Sequence, residues 1–118
     1  MIRIADIREW RDHDVVDQDG KKIGVLESVY VDTASDEPWF VTVTIGLPTR
    51  RRLAFAPLTD AVVGPGYVRL AHSRALVKDA PSIDTDGVLA AEEEPVVFAH
   101  YEMEYVPGAG GERRLARR

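Results

Sequence analysis

Residues 82–93 carry the oxygen-bearing side chains and the spacing that a calcium-binding loop needs. Their sequence, Ser-Ile-Asp-Thr-Asp-Gly-Val-Leu-Ala-Ala-Glu-Glu, puts Gly87 at the sharp turn and Glu93 at the closing bidentate carboxylate. However, Ser82 stands where such loops carry Asp, and Pro81 blocks a helix leading into the loop. The stretch therefore predicts a turn followed by acidic residues at a helix start, with a calcium loop as the alternative.

Three consecutive arginines, Arg50, Arg51 and Arg52, form a basic cluster within the predicted folded part. In a strand, Arg50 and Arg52 share one face and Arg51 lies on the other. Guanidinium groups suit phosphate, so one interpretation is an anion or RNA contact. The net charge of −5 weakens long-range attraction to phosphate, and we therefore interpret the cluster as a solvated strand end.

The candidate interaction patch joins Trp39 to these arginines and so consists of Arg50, Arg51, Arg52 and Trp39. A tryptophan of this kind usually fills the core or plugs one end of a small β-fold. If Trp39 is instead exposed beside Phe40, the two rings would mark a partner site.

Residue types that serve catalysis are present but not in catalytic patterns. The chain has no cysteine, which removes disulfides, thiolate zinc sites and cysteine nucleophiles. The histidines, His13, His72 and His100, are far apart, and their spacing suggests no metal or acid–base site. We therefore expect no catalytic, cofactor-binding or metal-binding residues.

The composition is that of one ordinary globular domain. The chain has 118 residues, of which 45% are hydrophobic and 30% charged, and its isoelectric point is about 5.1. No apolar run approaches the roughly 20 residues of a membrane span, and the first residues lack the pattern of an export signal. We expect a cytoplasmic protein without membrane contact.

The elements that must position these residues are short strands. The Asp19-Gly20 pair between apolar runs predicts a hairpin, and the clean alternation from Trp39 to Ile45 predicts a further strand. The spacing of the turns predicts five to six antiparallel strands. A helical turn over 73–78 and a short C-terminal helix over 91–101 follow, and residues 107–118 read as a flexible basic tail after a domain of residues 1–106.

These features together resemble the PRC-barrel family, in the manner of its stand-alone actinobacterial members. Other members of the family include the cytoplasmic domain of the photosynthetic reaction-centre H subunit and the C-terminal domain of the ribosome maturation factor RimM. The resemblance implies a small β-barrel with an appended helix, and no catalytic residues. The segments that carry it are residues 16–24 (Val-Asp-Gln-Asp-Gly-Lys-Lys-Ile-Gly), 29–32 (Val-Tyr-Val-Asp), 55–58 (Phe-Ala-Pro-Leu), 76–81 (Leu-Val-Lys-Asp-Ala-Pro), 92–94 (Glu-Glu-Glu), and His100 with Tyr101.

A family fold argues function only by analogy. The preferred hypothesis is a non-enzymatic interaction module, an adaptor for an unidentified protein partner, with a homodimer as a further expectation because unpaired strand edges favour self-association. The alternative is an RNA- or ribosome-associated binding or maturation factor that uses Arg50, Arg51 and Arg52. Apart from that alternative, we expect no nucleic-acid partner.

Overall fold

A computed structural model describes residues 9–107, 110 and 112–118, and in them the chain is mainly β, as predicted. Part of the predicted domain (1–8) and part of the predicted tail (108, 109 and 111) lie outside the described residues. The elements, in chain order, are β1 (Asp14–Val16), β2 (Lys22–Asp32), β3 (Pro38–Leu47), β4 (Arg50–Pro57), β5 (Val62–Gly64), β6 (Tyr67–Arg69), α1 (Arg74–Lys78), β7 (Ser82–Asp84), α2 (Glu94–His100) and β8 (Leu115–Arg117).

The predicted hairpin at Asp19-Gly20 is confirmed as the connection between β1 and β2. Gly20 adopts a φ of +83°, which glycine reaches without strain. The buried carboxylate of Asp17 holds the turn, because it accepts hydrogen bonds from the backbone N–H groups of Asp19, Lys21 and Arg74. Burial alone would raise the pKa of the Asp17 carboxyl, but these bonds outweigh it and hold the pKa below its ordinary value.

The long strands β2, β3 and β4 form an antiparallel meander that supplies most of the core. Phe40, Val41, Val43, Ala54 and Phe55 are fully buried in it. The register of β2 slips by one residue against β1 near Ile23 and against β3 near Glu27, which are two β-bulges. These bulges bend β2, and Gly24 lies beside the first of them.

The sheet is larger than expected and is mixed. It has eight strands instead of five to six, in the order β5-β6-β1-β2-β3-β4-β7, with β8 added to β2. β1 and β6 are parallel, not antiparallel as predicted, because the chain crosses from β4 to the far side of β1 before it forms the β5–β6 hairpin. Within the described residues these pairings form a path and do not close a ring.

The two helices cover one end of the core. Ser73 caps α1 by accepting a hydrogen bond from the Leu76 N–H. The predicted helix over 91–101 is a single 3-10 turn (Ala91–Glu93) followed by α2, which buries Phe98 against Phe40. None of the helices in the described ranges has the length and apolar character needed to cross a membrane.

Residues 113–118 pack onto the domain, which differs from the flexible tail expected over 107–118. Leu115, which is 1% exposed, lies in the core, and β8 pairs with residues 30–32 of β2. The fully buried carboxylate of Glu94 accepts hydrogen bonds from the N–H groups of Arg114 and Leu115 and from the Tyr105 hydroxyl, at 2.7–2.9 Å. This anchor explains why a basic segment with a single large apolar residue is ordered.

The second anchor of β8 is the ion pair between Arg114 and Asp32. Arg114 donates from Nε and Nη2 to the two carboxylate oxygens at 2.8 and 3.1 Å, and both side chains are less than one-fifth exposed. Hydrogen bonds from Arg114 are the largest influence on the pKa of the Asp32 carboxyl and hold it below its ordinary value, against the opposing effect of burial.

Because the pKa of Asp32 is lower in the folded state, its ion pair stabilises the protein above about pH 4, the unfolded pKa, and loses this effect as pH falls through the folded pKa. We expect Asp32→Asn to lower the free energy of unfolding by about 2 kcal/mol at pH 7. The difference from the parent should shrink steadily below pH 4. Urea unfolding of both proteins from pH 7 to pH 2.5 measures it, and a difference independent of pH would contradict the assignment.

Candidate interaction surfaces

The three arginines singled out in the sequence lie at the tip of the β3–β4 hairpin, where they differ in exposure and in hydrogen bonding. Arg50 and Arg51 are exposed, and within the described residues neither forms an ion pair. Arg52 is half-buried and donates a hydrogen bond to the carbonyl oxygen of Lys78, beside its β7 partner Asp84. Arg52 therefore has a structural role, and two arginines are left to meet a ligand.

Trp39 is half-buried at the other end of the same hairpin. Its ring packs edge-on against Phe98, with 4.8 Å between ring centroids, and against Phe40. The guanidinium of Arg114 lies over its face at 5.3 Å. Trp39 thus packs against the outside of the core and is partly covered by α2 and by the segment that leads into β8.

The structure does not bring the candidate interaction patch together. The β3–β4 register pairs Phe40 with Pro57 near Trp39 and Leu47 with Arg50 at the tip. Seven residues of strand separate these two pairs, which is about 23 Å at 3.3 Å per residue. Arg50 and Arg51 are consequently a surface of their own, remote from Trp39.

Residues 82–93 are shaped by the sheet. Ser82 and Asp84, two of the residues in calcium-ligand positions, lie in β7, which pairs with β4. A tight turn follows, in which the Gly87 N–H donates to the Asp84 carbonyl oxygen. Across the described ranges, no group of three or more His, Asp or Glu side chains is arranged to hold a metal ion.

Two of the scattered histidines meet around one tyrosine, which their spacing in sequence did not indicate. The rings of His72 and His100 each lie about 5 Å from that of Tyr101, whose hydroxyl donates to the Phe55 carbonyl oxygen. Burial lowers the pKa of His72, against the charge of Asp60. Since the Tyr101 hydroxyl is already used inside the fold, this cluster joins α2 to the sheet.

A cleft of about 390 Å³ lies between β2, β4, β8 and the turn at 85–88. Glu27 and Tyr30 line it from β2, Leu53 from β4 and Arg117 from β8, while the exposed Val88 forms part of its rim. No sequence pattern indicates this cleft, because it depends on the unexpected placement of β8.

Two of the charged residues that line this cleft, Glu27 and Arg117, form an ion pair. Arg117 donates to Glu27 and to the Ser28 hydroxyl, and the Thr42 hydroxyl donates to Glu27 at 2.8 Å. Burial alone would raise the pKa of the Glu27 carboxyl, but these contacts outweigh it and hold the pKa below its ordinary value. Burial raises the pKa of the Tyr30 phenol. These shifts keep the Glu27 carboxylate ionised and the Tyr30 phenol protonated.

Three strands have a hydrogen-bonded neighbour on one side only: β5, β7 and β8. Such edges present unpaired backbone N–H and C=O groups that can accept a strand from another chain. Among the elements described, they are the places where the fold offers backbone hydrogen bonds to a partner.

Comparison with known protein families identifies the family of this chain. The family model for the PRC-barrel domain matches residues 3–77, more than half of the chain. This range covers β1 to β6 and most of α1, whereas β7, α2 and β8 follow it. No curated protein matches the chain.

Proposed function

The chain belongs to the PRC-barrel family, and from this premise we propose that it is a non-enzymatic, cytoplasmic interaction module, an adaptor that binds another protein through its free strand edges. The observation that carries the proposal is that three strands, β5, β7 and β8, have a hydrogen-bonded neighbour on one side only. Backbone pairing at an edge supplies affinity, and the side chains beside it supply specificity.

The cleft supports a more detailed form of this proposal. Residues of β8 and of the turn after β7 line it from opposite sides, although these two strands lie at different edges of the sheet. We infer that the sheet curls into a barrel whose open seam is this cleft. An extended peptide segment bound along β8 would fill the seam.

The hairpin tip favours a second candidate, binding to RNA or to the ribosome. Arg50 and Arg51 are exposed and, within the described residues, have no acidic partner, so their guanidinium groups are available to phosphate. Two arginines on a chain of net charge −5 make a small phosphate-binding surface, and for this reason we favour the adaptor.

Affinity capture from the native lysate, with and without RNase, separates the two candidates. We expect a protein partner that survives RNase and is retained within about twofold by the double variant Arg50→Gln/Arg51→Gln, because the edges lie elsewhere. The single variant Lys78→Gln is the matched control for loss of surface charge. If RNase and the double variant both release every partner, the adaptor proposal is wrong and RNA binding is supported.

A further inference from the structure

The edge strand β5 exposes two apolar side chains. Val62 is 52% exposed and Val63 is 38% exposed, and the strand ends at Gly64. Valine favours a strand but gains little there while it faces water. The two side chains therefore form an apolar strip on an open edge.

β5 also differs from the other two open edges in charge. β7 carries Asp84 and β8 carries Arg117, whereas β5 consists of two valines and a glycine. Charged side chains on an edge strand are a common means of opposing strand addition from another chain. Of the three edges, β5 is the one whose strand carries no charged side chain.

The direction of the backbone groups in β5 follows from its neighbour β6. The Asp14 N–H donates to the Gly66 carbonyl oxygen at 3.1 Å, and the Leu70 N–H donates to the Val16 carbonyl oxygen at 2.9 Å. In this parallel register Val68, midway between these contacts, directs its peptide groups toward β1. The residues on either side of Val68 therefore direct theirs toward β5.

Val63 is left with its peptide groups pointing away from the sheet. Tyr67 and Arg69, the neighbours of Val68, lie opposite Gly64 and Val62 of β5. Gly64 and Val62 therefore use their N–H and C=O groups within the β5–β6 hairpin. Val63 lies opposite Val68, in the pair without hydrogen bonds. Its N–H and C=O thus face outward, and its side chain shares the face of the fully buried Val68.

We propose that β5 pairs antiparallel with β5 of a second copy, about a two-fold axis through Val63. This proposal rests on the proposed function, because it takes β5 as one of the interacting edges and a second copy of the chain as the partner. Each Val63 N–H donates to the Val63 carbonyl oxygen of the other copy, and the two Val63 side chains meet on the core-facing side. Val62 then lies opposite Gly64 of the other copy, where the ring of Tyr67 covers the position of the missing Cβ and gives Val62 an apolar surface to meet.

The same register sets the length and strength of the contact. Pro65 has no N–H and ends the pairing on one side, while Asp60 falls opposite Gly66 and not opposite its own copy. Two hydrogen bonds and four valines make a small interface, and each chain carries a net charge of −5. The dimer is therefore weak, and added salt strengthens it.

Single cysteines test the axis directly, since the chain has none of its own. In a hydrogen-bonded antiparallel pair the Cα atoms are about 5.5 Å apart, within disulfide range, so Val63→Cys should form a disulfide-linked dimer. Val62→Cys is the matched control, because its thiol is more exposed but lies about 8 Å from its own copy. We expect Val63→Cys to cross-link at least tenfold faster under mild oxidation, read on non-reducing gels.

Equal cross-linking rates of the two variants would overturn the proposal. Sedimentation of the unmodified chain adds a second measurement, in which a dimer fraction should appear at high protein concentration and rise with salt. The same dimer fraction should be absent from Val63→Lys. If the unmodified chain is monomeric at every concentration, the proposal is also overturned. Capture of a different protein from the lysate is independent of both results. If no other protein is captured but Val63→Cys cross-links rapidly, the adaptor proposal is refuted and the dimer proposal is supported.

Discussion

Replacing Glu94 with alanine is expected to lower the free energy of unfolding by about 3 kcal/mol, enough to unfold a marginal domain. The Glu94 carboxylate is fully buried and is the shared acceptor for the N–H groups of Arg114 and Leu115 and for the Tyr105 hydroxyl. Alanine would leave these three donors without their acceptor and open a cavity beside them. Urea unfolding followed by circular dichroism measures the change.

Glu93→Ala is the matched control, since Glu93 is the exposed neighbour of Glu94 in the same acidic run. We expect its effect to stay within about 0.5 kcal/mol. Glu94→Gln should fall between the two, because the amide keeps one acceptor oxygen but presents donors to groups that are themselves donors. Equal unfolding midpoints for Glu93→Ala and Glu94→Ala would show that Glu94 does not anchor β8.

Replacing Gly24 with alanine should have an effect of similar or greater size, about 3 kcal/mol or more. A Cβ atom added at Gly24 would overlap the carbonyl oxygen of Thr44 and lie 2.9 Å from Cγ1 of Val43. The first obstacle is backbone of the central strand β3, which cannot move without breaking its pairing with β4. We expect the variant to unfold at a much lower urea concentration or to accumulate as insoluble protein.

Gly20→Ala separates this steric effect from the general effect of replacing a strand or turn glycine. Gly20 has nothing within 4 Å of the added Cβ, so its substitution costs only the strain of a φ of +83°, about 1 kcal/mol. The experiment compares the losses in free energy of unfolding caused by Gly24→Ala and Gly20→Ala. If Gly20→Ala were the more damaging variant, the close approach of β3 to β2 at Gly24 would be wrong.

The elements that the sequence predicts are those held by local rules. The Asp19-Gly20 turn, the alternating strand from Trp39 and the acidic start of α2 depend on residues close together in the chain. The mainly β class and the PRC-barrel resemblance rest on the same segments. The structure confirms the class and the turn, and the family match covers the hairpin that carries most of the resemblance.

The elements that were missed depend on distant partners. Residues 113–118 have one large apolar residue among four arginines and look like a solvated tail. Their order comes from Glu94 and Asp32, whose roles as acceptors appear only when the chain folds back. The parallel pairing of β1 with β6 was missed for the same reason, because three-residue strands carry almost no periodicity.

The candidate interaction patch illustrates a different difficulty. Periodicity predicts which face of a strand a residue occupies, but it does not predict which end of a hairpin lies near another surface. Trp39 lies near the start of β3, and Arg51 lies near the β3–β4 turn at the opposite end of the hairpin. The register of the two strands therefore sets the distance between them. The β5 edge carries no sequence motif, and its position becomes visible only from the order in which the strands pair.

The pairing of β8 with β2 also orders events during synthesis. Asp32 and Arg114 are 82 positions apart, so at about 5–20 residues per second a ribosome makes Asp32 roughly 4 to 16 s before its partner. Within that interval β3 and β4 are made and the meander can form, while the edge of β2 at residues 30–32 stays open. The nascent chain therefore passes through a state in which this edge is available to other strands, and the edge is covered once β8 can pair with it.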